Sequence, residues 1–501
     1  MTGNLELEIG SQKVSVQTSL FINGLFVRGN GEKIKLINPA TEESFAEVDS
    51  ASENDIEAAV QAARWCFEND WGTNVPGIER SRMLNKLADE IESIKDELAL
   101  IESYNSGKPV EWCKFDIDDS LGCLRYYAGA ADKIQGSTIE VEDPSKYAMT
   151  RKEPIGVCAQ IVPWNYPIMM MVWKIAPALA AGCTIILKPS EFTPLSALKI
   201  ASLFPKVKYP NGVFNVLNGT GPAVGARLCK HLDIDKVAFT GSTAVGREIL
   251  KMSSESNLKK VSLELGGKSP NIIFESANLE EAAKWAVFGV FENAGQTCTA
   301  GSRIIVQNSI YDKFINLFIK AVEAFKVGDP LDSKTFQGPQ INKHQFEKIL
   351  NYIEIGKQEG AKLVLGGNRI GSKGYFIEPT VFGEVLSEMK IFKEEIFGPV
   401  ASLIRFQDEK DALRIANNTT YGLASAIHSN DFGQVQRVSR KIKAGTVWIN
   451  QYVMLNNQVP FGGYKQSGWG RELGLEGLNN YLITKAVHYY YGDKFEWPIP
   501  T

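Results

Sequence analysis

From residue 154 onward the chain alternates short, almost wholly apolar runs with segments of helical periodicity, and few folds accommodate that alternation. The runs are 156–162, 183–187, 213–217, 237–239 and 261–265, with helices expected around 193–203 and 243–255. A strand that is apolar on both faces is buried on both faces, which happens when helices cover a parallel sheet. A second series follows after 270, at 271–274, 303–307, 363–365, 424–427 and 446–449. The expected class is therefore α/β, with two lobes. Upstream, short extended pieces with Gly and Asn turns reach about residue 50. A helix then starts at Ser52, where Asp55 three residues on completes a capping box, and helical periodicity runs to about 133. Near the end, 479–491 reads as a strand rich in aromatics (Tyr481, Tyr489, Tyr490, Tyr491). It either pairs with another subunit or forms an edge of its own domain.

Composition removes several function classes. A net charge of −4 over 501 residues gives no basic surplus for nucleic acid or anionic lipid. No apolar run approaches the roughly 18 residues that span a bilayer. Residues 1–17 carry Glu6 and Glu8 and resemble neither a signal peptide nor a mitochondrial presequence, and Ile499-Pro500-Thr501 is not a peroxisomal tripeptide. A cytoplasmic location is the expectation. Seven scattered cysteines without a CxxC pair, and four unclustered histidines, argue against a disulfide framework and a metal site. A nucleophilic cysteine here would need a base other than histidine.

Several segments carry chemistry, each with a plain structural alternative. Cys298 lies in Gly295-Gln296-Thr297-Cys298-Thr299-Ala300-Gly301, between an expected helix and strand; a lone cysteine is usually a small buried hydrophobe, but flanking glycines suggest close backbone approach. Glu264, in Leu263-Glu264-Leu265-Gly266-Gly267-Lys268, ends an apolar strand; it is either a salt-bridged structural acid or a general base raised by burial. Asn165, in Pro163-Trp164-Asn165-Tyr166-Pro167, follows the strand at 156–162, either as a turn residue or as an amide donor to an oxyanion. Lys188-Pro189-Ser190-Glu191 ends the next strand, and Phe239-Thr240-Gly241-Ser242 turns into a helix whose first amides can bind phosphate, although the GxGxxG spacing is absent.

Taken together and in this order, PWNYP, KPSE, FTGSTAVG, LELGGKSP, GQTC, KEEIFGP (393–399) and PFGGYKQSGWGRE (460–472) resemble the aldehyde dehydrogenase superfamily from about residue 20 to 490. The resemblance implies a Rossmann-like cofactor domain (1–131 and 154–265), an α/β catalytic domain (266–475) and a small β oligomerisation arm (132–153 and 476–501). It implies Cys298 as nucleophile, Glu264 as general base, and Asn165 with the Cys298 amide as oxyanion hole. Lys188 and Glu191 match the adenosine ribose site, Gly241 and Ser242 the turn over the pyrophosphate, and Glu395 and Phe397 the nicotinamide site. Val162, Pro163, Trp164, Gly221, Leu265, Gly266 and Lys348 match further cofactor contacts, and Lys174 and Glu472 a proton path.

The activity so implied is oxidation of a small-molecule aldehyde to its acid through a Cys298 thioester, in a homodimer or homotetramer. NAD is favoured over NADP, because the Glu191 carboxylate would accept ribose hydroxyls and repel a 2′-phosphate. A CoA-acylating relative would typically lack Glu264, and a crystallin-like structural protein would not need Cys298, Glu264 and Asn165 together. Tyr166 and Trp173 match aromatic positions of betaine-aldehyde and aminoaldehyde dehydrogenases, and Phe495-Glu496-Trp497-Pro498 resembles their tail. The match is incomplete: Glu292 and Phe461 stand where those enzymes carry tryptophan. Glu292 either supplies a cation-attracting charge or faces solvent, the commoner fate of glutamate. General aliphatic aldehydes are the leading expectation, cationic aldehydes the second.

Overall fold

The computed structural model describes residues 3–493 and 499. The tail residues Phe495, Glu496, Trp497 and Pro498 lie outside the described residues.

The first apolar series forms one sheet, in the order Gly468–Trp469, Lys260–Glu264, Lys236–Thr240, Val157–Ile161, Thr184–Lys188, Phe214–Val216, Leu20–Ile22, Leu25–Val27. Its five central strands are parallel. Val157–Ile161 comes first of the five in the chain and lies in the middle, so the winding reverses beside it. Ligands of open α/β sheets bind at such a switch point, outside the carboxyl ends of the strands. Val162, Lys188, Gly241 and Leu265 follow directly at those ends or close them. The run expected to lie wholly in the second lobe, 266–475, sends Gly468–Trp469 back to pair antiparallel with Leu263 and Glu264, so this stretch ties the lobes together.

The second sheet runs Lys362–Leu365, Thr380–Gly383, Val400–Phe406, Arg303–Gln307, Pro270–Ile273, Ala424–His428, Thr446–Ile449. All neighbours pair in parallel except the first, where Lys362–Leu365 is an antiparallel, bulged edge strand instead of a member of the parallel series. Thr380–Gly383 and Val400–Phe406 were not among the expected strands. The former is four residues long behind Pro379, and in the latter Ser402 and Arg405 interrupt the apolar run.

Four helices, Glu53–Asn69, Gly77–Ser93, Lys95–Ser106 and Val110–Ala130, fill the region of helical periodicity. The first is capped as expected: Ser52 N–H donates to Asp55 Oδ2 at 2.8 Å and Asp55 N–H to Ser52 Oγ at 3.3 Å, a device worth about 1 kcal/mol. The helix Pro167–Ala181 is buried along its whole length and carries one charge, Lys174. Leu482–Tyr490, Lys146–Pro154 and Thr138–Glu140 form a separate three-stranded antiparallel sheet, with Tyr147 stacked on Tyr489 at 4.6 Å. Tyr481 is buried in the main core ahead of that strand.

Candidate active site

The carboxyl ends of the first sheet face loops of the second lobe across a cleft of ≈ 1370 Å³, its open mouth included. Cys298 and its neighbours Thr297 and Thr299 lie on its wall, together with Asn165, Leu265 and Gly266.

The way the chain reaches Cys298 is unusual. The helix Leu279–Phe291 stops, and Asn293, Ala294 and Gly295 all take left-handed backbone, with φ of 50°, 56° and 71°. A left-handed non-glycine residue costs roughly 1–2 kcal/mol, so the neighbours must hold this turn. They do so through side-chain amides. Asn293 Nδ2 donates to the Asn165 carbonyl at 2.9 Å, Gln296 Nε2 to the Asn293 carbonyl at 3.2 Å, and Ile341 N–H to Gln296 Oε1 at 2.9 Å. A Cβ at Gly295 would lie 2.1 Å from the Gly398 carbonyl, so only glycine fits there. Asn165 Nδ2 donates to the Gln296 carbonyl at 2.7 Å, which leaves its second hydrogen for another acceptor. Cys298 is half-buried, and burial, followed by the carboxylates of Glu264 and Glu395, holds its thiol well above the usual range.

Glu264 is buried behind this wall, and its carboxyl packs against Gly462, where a Cβ would approach Oε1 to 2.8 Å. Burial, then the nearby Glu472, pushes its pKa well above the usual glutamate value, against the opposing charges of Lys174 and Arg471. Its Oε2 has no hydrogen-bond partner among the described residues. Lys174 Nζ pairs with Glu472 Oε1 and donates to Thr240 Oγ1 at 2.7 Å, while Glu472 Oε2 is likewise without a partner among the described residues.

Of the positions expected to hold a dinucleotide, Gly241, Ser242, Glu395 and Phe397 line the cleft, whereas Val162, Lys188, Glu191 and Gly221 do not. Lys188 Nζ is buried 3.6 Å from Glu191 and donates to the Pro189 carbonyl at 2.8 Å; burial lowers its pKa. Buried Val162 N–H donates to the Lys188 carbonyl at 3.1 Å, and Gly221 opens a short helical turn capped by Thr220. Ser242 caps the helix Thr243–Glu255 through Val245 N–H, below Gly241. Glu395 Oε1 accepts Gly267 N–H at 2.9 Å, whereas Oε2 receives no hydrogen bond from the described residues. Phe397, in left-handed backbone, meets Trp164 edge-on at 5.4 Å. Pro163, Trp164 and Lys348 line the same cleft. A carboxylate with one free oxygen, an aromatic ring and exposed helix-start amides suit a ribose, a flat ring and a pyrophosphate respectively.

At the other end the cleft is aromatic. Trp173 meets Phe461 at 5.4 Å and donates from Nε1 to Asp119 Oδ2 at 2.9 Å. Glu292 does not face solvent: it is buried, and its Oε2 accepts Tyr166 Oη at 2.5 Å and Thr297 Oγ1 at 3.1 Å. The left-handed turn behind it folds the side chain inward. Sequence reasoning missed Trp112, Phe115, Asp116 and Asp119, which all line this end from the helix Val110–Ala130. Their spacing of three and four residues places them on one helical face, a signal that could have exposed them.

Among the described residues, no helix is long and apolar enough to cross a membrane, and no group of three His, Cys, Asp or Glu side chains could hold a metal ion.

The chain matches the family described as "Aldehyde dehydrogenase family" over residues 26–487. It is 53% identical over 475 residues to an aldehyde dehydrogenase of Emericella nidulans, covering 95% of each chain. It is 48% identical to aldehyde dehydrogenase family 2 member C4 of Arabidopsis thaliana, covering 94% of each. Among solved structures, a betaine aldehyde dehydrogenase of Staphylococcus aureus in complex with NAD+ superposes with a TM-score of 0.93 at 41% identity, covering 96% of each chain. A point mutant of an aldehyde dehydrogenase of Bacillus cereus gives 0.93 at 47% identity, covering 95% of this chain and 97% of that one. Fold, motif order and these likenesses converge: the chain is a member of the aldehyde dehydrogenase family.

Proposed function

We propose that this protein oxidises an aldehyde to its carboxylic acid through a thioester on Cys298, using NAD. The observation that carries the reading is the bond from Asn165 Nδ2 to the Gln296 carbonyl, which fixes an amide donor beside the Cys298 backbone on one cleft wall. The Cys298 sulfur, once deprotonated, adds to the carbonyl carbon, and the Asn165 amide with the Cys298 N–H stabilises the oxyanion. A bound nicotinamide dinucleotide supplies the acceptor for the hydride lost from that carbon. Glu264 takes a proton from the water that cleaves the thioester. Cys298→Ala should abolish NADH formation, and full activity in that variant would refute the reading.

The choice of NAD rests on Glu191, which lies beside Lys188 and neutralises the cation that a 2′-phosphate would otherwise seek. Homodimer or homotetramer formation through the three-stranded arm, and the division into cofactor domain, catalytic domain and arm, belong to the same proposal.

For the substrate, neutral aliphatic aldehydes fit the aromatic and methionine-lined end of the cleft. A second reading, a cationic aldehyde, is favoured by two carboxylates there without a paired cation, Asp119 and Glu292, the last with an Oε1 that receives no hydrogen bond from the described residues, while Asp116 is paired with Lys108. The discriminating quantity is kcat/KM for betaine aldehyde against butanal. A preference for butanal that Glu292→Gln leaves unmoved would dispose of the second reading.

A further inference from the structure

Glu292 stands six residues before Cys298 and touches both sides of the reaction centre. One oxygen, Oε2, accepts Tyr166 Oη at 2.5 Å and Thr297 Oγ1 at 3.1 Å, and the two hydroxyls are 2.8 Å apart. Tyr166 is the neighbour of Asn165 and Thr297 the neighbour of Cys298. All three side chains are buried. Burial, then the charges of Glu292 and Asp116, pushes the Tyr166 hydroxyl well above its usual pKa, so it stays a donor at any working pH. Lys108 lies 3.5 Å from the centre of the Tyr166 ring. Burial works against its charge, but Asp116 and Glu292 more than offset this and keep the ammonium protonated. Lys108 is itself paired with Asp116, so the Glu292 carboxylate has that ion pair behind it and two charge-assisted bonds in front.

We propose that Glu292 is a positioning residue: its carboxylate fastens the Cys298 segment to the Asn165 turn through Thr297 and Tyr166, and so sets the approach of thiol to oxyanion donor. The inference rests on the roles proposed above for Cys298 and Asn165. It explains how three consecutive left-handed residues, 293–295, persist between Glu292 and Cys298: the turn is held at both ends. A misplacement of about 1 Å at a reaction centre costs on the order of a hundredfold in rate, so a fastening of this kind acts on the chemical step more than on binding.

The test uses the full-length enzyme with saturating NAD and butanal, read as the single-turnover rate of NADH formation, the KM, and the rate of Cys298 alkylation by iodoacetamide. Glu292→Leu leaves the two buried hydroxyls only each other to bond and should slow the single turnover by about a hundredfold while KM moves less than about threefold. Glu292→Gln keeps a carbonyl acceptor and should restore the rate to within about threefold of the parent. Alkylation, which needs no oxyanion donor, should change less than about threefold in either variant. Should Glu292→Leu fail to fold, Thr297→Val and Tyr166→Phe remove the same contacts singly. Each should slow the single turnover by about tenfold, and the double variant should fall short of the product of the two. Parent-like turnover in Glu292→Leu, or in both single variants, overturns the proposal. So does a loss confined to KM. If Cys298→Ala is itself active, the reading of the site fails instead, and the two failures are told apart.

Discussion

Two buried acidic networks flank Cys298 and are finished differently. On the substrate side, one oxygen of Glu292 takes two hydroxyl donors, with Lys108 and Asp116 paired behind them. On the far side, Glu264 Oε2 and Glu472 Oε2 are buried with no partner among the described residues, although the charge of Lys174 acts on both carboxylates. A buried acceptor without a donor costs about 1–3 kcal/mol. The contrast separates two uses of a carboxylate. At Glu292, proposed above to hold geometry, Oε2 takes both donors and only Oε1 is open. At Glu264, proposed above to move a proton, Oε2 is left open and burial raises the pKa.

The largest effect expected from this contrast is at the sulfur both networks serve: Cys298→Ala should remove aldehyde oxidation while NAD affinity, read by fluorescence quenching, stays within about threefold. Next comes the open network. Glu264→Gln should lower steady-state turnover roughly 10²–10⁴-fold, the usual worth of a general base, yet leave a burst of NADH. The pH profile sharpens this. Glu264 has a raised pKa, and the proposed role uses its base form, so thioester hydrolysis should climb with pH along a limb above the ordinary glutamate range. Lys174→Met removes a charge that lowers this pKa and should move the limb to higher pH; Glu472→Gln removes one that raises it and should move the limb lower. Identical profiles in both variants would break the assignment. The same raised pKa makes the folded state favour the protonated acid. The stability it contributes is present below the ordinary glutamate pKa and is lost as pH rises through the raised one, so Glu264→Gln should flatten the fall of Tm above the ordinary glutamate range. The smallest effect is remote from both networks. Glu191 is part-exposed and screened, so Glu191→Ala should relax the NAD-over-NADP ratio of kcat/KM by only about tenfold.

Much of this was legible in the amino-acid order, for a physical reason. Strands such as Val157–Ile161 and Thr184–Lys188 are apolar on both faces, and continuous burial writes itself into sequence. Val400–Phe406 is equally central, but Ser402 and Arg405 break its run, and Lys362–Leu365 gives no sign of its antiparallel direction. Within the site, positions on sharp turns at strand ends were readable from their motifs. Glu292 was readable as a pocket position with solvent as the alternative; its buried, inward path was not legible, because it depends on left-handed backbone at Ala294, a residue that advertises no such turn, as well as at Asn293. Asp116 and Lys108 were hidden too, since their role arises only when a distant helix packs behind Tyr166.

The most direct test of the central claim is the intact mass of Glu264→Gln enzyme mixed with NAD and butanal and quenched within the burst. One acyl group per subunit is expected, mapped by peptide digestion to Cys298, with one NADH released for each. Normal turnover without a covalent adduct, or an adduct on another residue, would contradict that claim.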